Sequence, residues 1–142
     1  MNAEVRRVSV SDVMKREFIL IDRQATIYEA LLKIKKHRTS VLVVDKHDEN
    51  DEFGLLLVGD IARQVLAQDR SSKRVNVYEV MQKPAVCVHP GMDIRYCSRL
   101  FARFNLIRAL VVENKQILGT ISPNSLVLDG MYDMEEDADD QD

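Results

Sequence analysis

The stretch Val10-Ser11-Asp12-Val13-Met14 decides how this chain is read, because it returns 67 positions later as Val77-Tyr78-Glu79-Val80-Met81. Working outward, Ile19-Leu20-Ile21 answers to Val86-Cys87-Val88, and Thr26-Ile27 to Asp93-Ile94. With one residue of slippage, Val41-Leu42-Val43-Val44-Asp45 matches Ala109-Leu110-Val111-Val112-Glu113. After a shorter second loop, Gly54-Leu55-Leu56-Leu57 aligns with Gly119-Thr120-Ile121-Ser122. An order kept over roughly sixty residues per copy marks a duplicated unit.

Within each copy the hydrophobic period alternates. Ile19 to Ile21 reads as a short buried strand. Thr26 then offers an N-cap with Glu29 three residues on, and Ile27, Ala30, Leu31 and Ile34 share one helical face. In the second copy Asp93 is the N-cap, and Ile94, Cys97, Phe101 and Phe104 form the stripe, with both phenylalanines in the core. Val41 to Val44 and Leu55 to Val58 read as a hairpin around Lys46 to Phe53, matched by Ala109 to Val112 and Gly119 to Ser122. A closing helix buries Ile61, Val65 and Leu66. The fold class is therefore α+β: two tandem βαββα units, with a first repeat at 8–68, a linker at 69–75 and a second repeat at 76–130. Units this small bury too little surface alone, so the halves are expected to pack sheet to sheet with pseudo-two-fold symmetry and paired clefts.

Composition narrows the function classes. The chain has 142 residues, 46% hydrophobic and 30% charged, which suits a folded protein. No apolar run approaches the roughly 20 residues a membrane span requires, and no secretory signal is evident, so the cytoplasm is expected. Cys87 and Cys97 make no disulfide framework and are expected in the core; with His37, His47 and His89 scattered, no metal site is expected. From Asp133 onward there are seven acids and no base, leaving +4 on the rest of a chain of net charge −3. Residues 131–142 are expected to be a disordered acidic tail. The mild positive body suits a phosphate-bearing small molecule but is too thin for nucleic acid. No nucleophile–base pair, phosphate loop or metal cluster points to an enzyme.

The ordered set of motifs, occurring twice, resembles tandem cystathionine-β-synthase (CBS) domains, the pairs called Bateman modules. The resemblance runs from about Val8 to Leu128. It rests on Val10 to Met14, on Ala25-Thr26-Ile27-Tyr28-Glu29-Ala30, on Val41 to Asp45 and on Gly54-Leu55-Leu56-Leu57-Val58-Gly59-Asp60-Ile61. It implies a homodimeric regulatory module that binds AMP, ADP, ATP or S-adenosylmethionine, requires no cofactor, and acts on a protein partner in trans. The family's nucleotide signature places Gly, then Ser or Thr three positions later, then Asp after three more. A hydroxyl there can bond ribose or phosphate oxygens, and the carboxylate can accept from ribose hydroxyls.

Both copies depart from that signature. The first keeps Gly54 and Asp60 but has Leu57 at the hydroxyl position; the second keeps Gly119 and Ser122 but has Ser125 for the acid. Asp60 also reads as a helix N-cap, and Ser122, before Pro123, as a cap or turn residue. By resemblance Arg108, just before the second central strand, faces the ligand. Arg63, Arg95, Arg99 and Arg103 are further candidates for phosphate, and Thr39 and Ser40 for the first cleft. The half-sets leave a second reading open, a scaffold module that binds no ligand.

Overall fold

The computed structural model describes residues 7–139, with side chains through Glu135. In chain order the elements are α1 (Val10–Val13), β1 (Leu20–Ile21), α2 (Ile27–His37), β2 (Val41–Val44), β3 (Gly54–Leu57) and α3 (Val58–Ile61). There follow β4 (Cys87–Val88), α4 (Ile94–Phe104), β5 (Ala109–Glu113), β6 (Gln116–Ile121) and α5 (Tyr132–Asp139). The chain forms two compact units: Phe18–Ala85 is one, and the described residues up to Glu17 together with those from Val86 onward are the other.

In the first unit β1 runs parallel to β2, and β2 antiparallel to β3, in the order β1-β2-β3. A parallel pair needs a long crossover, which α2 supplies. Thr26 Oγ1 accepts from the Glu29 amide at 3.1 Å to start α2, and Arg38 at φ 52° ends it in the left-handed region. Leu42, Val44 and Leu56 from the sheet pack with Ile21, Ile27, Ala30, Ile61, Val65, Val75, Val77 and Val80. The opposite row, Val41, Val43, Leu55 and Leu57, is buried as well.

The second unit repeats the plan: β4 parallel to β5, β5 antiparallel to β6. Asn114 and Lys115, both at positive φ (53° and 64°), form the two-residue hairpin turn. Asp93 Oδ1 accepts from the Arg95 amide at 2.8 Å to cap α4. Its core joins Val88, Ile94, Cys97, Phe101, Ala109, Val111 and Ile121 to Val10, Val13, Leu126 and Met134.

The compact units and the sequence repeats cut the chain differently. Val10 and Val13, which lead the first repeat, pack in the unit that holds β4, β5 and β6; Val77 and Val80, which lead the second, pack in the unit that holds β1, β2 and β3. Each leading segment is fixed by a two-bond bridge. Lys15 and Thr120 exchange amide hydrogen bonds of 2.9 Å, and Leu55 and Gln82 bonds of 2.9 and 2.8 Å. The bridging residues Lys15 and Gln82 are again 67 apart.

Three expectations change. Leu66 is 76% exposed, because Ala62–Leu66 winds as a π-turn, whose extra residue rotates the helix phase outward. Phe104 is 58% exposed: it is the last residue of α4, and its ring lies under the Arg103 guanidinium, 5.8 Å from the centroid. Cys97 is buried as expected, whereas Cys87 is exposed, since only alternate residues of the short β4 face the core. Ser125–Met131 winds as a π-turn that runs on into α5. Met134 anchors α5 in the core, and Asp133 and Glu135 lie in its first turn, where acids suit the helix dipole. Residues 140–142 of that expected tail lie outside the described residues.

Candidate functional site

In the first unit β3 passes directly into α3, so Leu57 is the residue before the helix and Asp60 its third residue. Asp60 is therefore not the N-cap. Its carboxylate is buried and both oxygens are engaged: Oδ1 accepts from the Arg63 guanidinium at 2.6 Å, and Oδ2 from Gln82 Nε2 at 3.1 Å. Gly59 makes room for this arrangement, since a Cβ there would lie 3.3 Å from Arg63 Nη1. Gln82 is held independently by its backbone bridge to Leu55. A buried carboxylate is costly unless paired and hydrogen-bonded, and here it has both.

The same turn in the second unit carries the complementary half. Ser122 stands before the helical turn that opens at Pro123; its Oγ accepts from the Ser125 amide at 3.4 Å, and its carbonyl from Leu126 at 3.1 Å. Ser122 thus caps, with proline at the first helical position where the lost N–H costs nothing. The Ser122 and Ser125 hydroxyls lie 3.5 Å apart, both residues buried. Leu57 and Ser122 stand at the cap, and Asp60 and Ser125 at the third helical position; Ser122 caps through its hydroxyl, whereas Asp60 bonds Arg63 and Gln82 rather than the start of its own helix.

The remaining candidates separate. Thr39 and Ser40 do lie at the Asp60 end of their unit, because the Ser40 carbonyl accepts from Val58, the first residue of α3, at 3.1 Å. The Thr39 hydroxyl bonds the Val41 carbonyl at 3.0 Å, fixing the entry to β2. Arg108 immediately precedes β5, whose Ala109 pairs with Ile121 beside Ser122. It is half-buried, and burial pulls its guanidinium below the ordinary arginine value. Arg99 and Arg103 instead lie over Tyr96 and Phe104 of their own helix, 5.1 and 5.8 Å from the ring centroids. Gln82 is the member the sequence reading missed. Its correspondence to Lys15 was legible in the repeat, but its register against β3 was not.

Two further hollows lie elsewhere. One of about 330 Å³ in the first unit is lined by Asp22, Arg23, Lys33, Asp45 and Lys46, beyond the carboxyl ends of β1 and β2. The other, about 510 Å³ in the second unit, lies between α4 and α5 and is mostly apolar, with Ile94, Leu126, Met131 and Met134. Neither includes Asp60 or Ser122. Among the described residues no helix is long and apolar enough to cross a membrane.

This twice-repeated turn on a three-stranded sheet matches the family profile described as CBS domain, at residues 10–67 and 77–128. The chain belongs to the CBS domain family. It is similar to the protein MK0525 of Methanopyrus kandleri, 24% identical over 125 residues, covering 87% of this chain but 63% of that protein. It is 28% identical over 123 residues to the CBS domain-containing protein YhcV of Bacillus subtilis, covering 87% of this chain and 86% of YhcV. The hexameric CBS-CP12 protein from bloom-forming cyanobacteria superposes with a TM-score of 0.85 at 30% identity, covering 88% of this chain and 72% of that one. At lower identity the CBS fold is shared with the MJ0100 domain pair, solved with 5-methylthioadenosine and S-adenosyl-L-methionine (20%, TM-score 0.72). It is likewise shared with the CBS domain of a bacterial CNNM/CorC family Mg2+ transporter, solved with ATP (21%, TM-score 0.71).

Proposed function

We propose that this CBS domain pair is a regulatory module that binds an adenosine nucleotide or derivative, as a dimer, and modulates a partner protein in trans. The observation that carries the reading is Asp60: a buried carboxylate kept at the strand-to-helix turn, with Thr39 and Ser40 at the same end of the unit. Structures of the same fold hold methylthioadenosine, S-adenosylmethionine and ATP, which supports an adenosine compound as the class of ligand. The hexameric CBS-CP12 relative supports self-association. The module carries no catalytic role in this reading and works in the cytoplasm. Regulation then requires the ligand to bind one arrangement of the module better than another.

The test is thermal unfolding of the full chain against AMP, ADP, ATP, S-adenosylmethionine and methylthioadenosine. A ligand at about 100 times its dissociation constant adds about 2.7 kcal/mol of stability. A second reading, a scaffold that binds no ligand, is favoured by one feature: each copy keeps half of the polar pair, and Asp60 already accepts from Arg63 and Gln82. It predicts that no compound in the series shifts the transition, and that mass spectrometry of the purified protein releases no nucleotide.

A further inference from the structure

The hollow of about 330 Å³ in the first unit lies beyond the carboxyl ends of β1 and β2, a parallel pair joined by the crossover helix α2. Space beyond the carboxyl ends of parallel strands is where α/β sheets receive small ligands. Each strand ends in the same two steps: Ile21 is followed by Asp22-Arg23, and Val44 by Asp45-Lys46. The Asp45 amide donates to the Ile21 carbonyl at 3.0 Å and keeps the two ends side by side. Asp22 Oδ1 accepts from the Gln24 amide at 2.7 Å, and Asp45 Oδ1 from the Lys46 amide at 2.8 Å, so each carboxylate is tied at its strand end. From α2, Lys33 donates to the Leu20 carbonyl at 2.9 Å, which holds its ammonium at the edge of the hollow. Arg23, Lys33 and Lys46 thus share one space with Asp22 and Asp45, yet no ion pair joins any of them among the described residues. The second copy does the reverse. Its matching strand ends carry His89 and Glu113, which meet at 3.1 Å, and the next residues, Pro90 and Asn114, bear no charge.

We infer that this hollow is a separate binding site and takes a small zwitterion of the α-amino acid class. Opposite charges that stand apart around a space do not neutralise each other, whereas a molecule bearing both signs meets both sets at once. The ligand's carboxylate goes to Lys33, with Arg23 and Lys46 beside it, and its ammonium to the remaining oxygens of Asp22 and Asp45. A simple anion would leave two carboxylates facing it, and a simple cation three basic groups. The volume falls in the range of small-molecule pockets. The assignment does not rest on the adenosine reading: Ser40 and Asp45 flank opposite ends of β2, about 16 Å apart along the strand.

The experiment is titration calorimetry of the full chain with the proteinogenic amino acids and with inorganic phosphate. Each amino acid that binds is compared with its 2-hydroxy acid, which lacks the ammonium, and its methyl ester, which lacks the carboxylate. At least one amino acid is expected to bind, and both counterparts at least about tenfold more weakly, the value of one charge-assisted contact. Asp45→Asn should weaken the amino acid about tenfold and leave the 2-hydroxy acid no weaker. Lys33→Gln should weaken the amino acid and the 2-hydroxy acid and spare the ester. Glu113→Gln, at the matching place in the second unit, should change none of the affinities. Thermal unfolding of each variant verifies the fold. The assignment is overturned if no amino acid binds at millimolar concentration, or if a 2-hydroxy acid or phosphate binds as tightly as the best amino acid. Binding that survives both Asp45→Asn and Lys33→Gln, or that is lost in a folded Glu113→Gln, places the ligand elsewhere and overturns it too.

Discussion

Single residues carry consequences here that their type alone does not announce. Gly119 has an ordinary negative φ, but a Cβ on it would lie 2.3 Å from the backbone carbonyl oxygen of Lys15. Backbone cannot swing aside as a side chain can, so Gly119→Ala should cost about 2–4 kcal/mol, through the Lys15–Thr120 bridge it pushes apart. Gly54→Ala, where the nearest atom is at 3.1 Å, should cost distinctly less. Urea midpoints of the two variants decide it, and equal values would refute the close-approach argument. The cysteines differ just as sharply. Burial pushes the Cys97 thiol up to about 11, while Cys87 is exposed. A thiol reagent at neutral pH should therefore titrate one cysteine in the native protein and two only after unfolding, and Cys87→Ser should remove the native reaction.

At the scale of elements, capping and loop ties can be weighed. Ser122→Ala removes the oxygen that receives the Ser125 amide and should destabilise by about 1 kcal/mol with no ligand present. A loss near zero in chemical denaturation would mean the long 3.4 Å bond contributes nothing. The loop between β2 and β3 is tied by Asp51, which accepts from the Lys83 ammonium at 2.5 Å and from the His47 amide at 2.7 Å. The Lys83 contact first, and the backbone donors of His47 and Glu52 next, hold its carboxyl well below the ordinary 3.8. A folded group that binds its proton more weakly than the unfolded chain stabilises fully above the ordinary carboxylate range, and that share fades as the pH drops beneath it. The stability gap between wild type and Asp51→Asn should hold steady from about pH 7 to about pH 5 and narrow by about pH 2.5. A gap constant throughout would remove the tie.

Elements also show what was legible beforehand. The strands, both main helices and the caps Thr26 and Asp93 followed from period and local chemistry, because each is decided within a few residues of itself. Leu66 was not legible: a π-turn changes the helical phase without any mark in the hydrophobic pattern. Asp60 and Ser122 could be picked out by their place in the repeat, but not their partners. Gln82 meets Asp60 across 22 residues, through a bridge to Leu55 that no local pattern encodes.

For the whole molecule, the decisive feature is where the leading segments lie. A fragment spanning 18–85 holds β1, β2 and β3 together with Val77, Val80 and the Gln82 bridge; a fragment spanning 8–68, the sequence repeat, lacks all three of the latter. The first should show the stronger helical circular dichroism and the more cooperative melt, because burial of Val77 and Val80 would otherwise be lost at about 1.5–3 kcal/mol each. Equal behaviour of the two would mean the exchanged segment is dispensable.

That exchange also decides where the chain can be divided. A cut within residues 69–75 parts Val10 and Val13 from β4, β5 and β6, and Val77 and Val80 from β1, β2 and β3, so it strips both sheets of their cover at once.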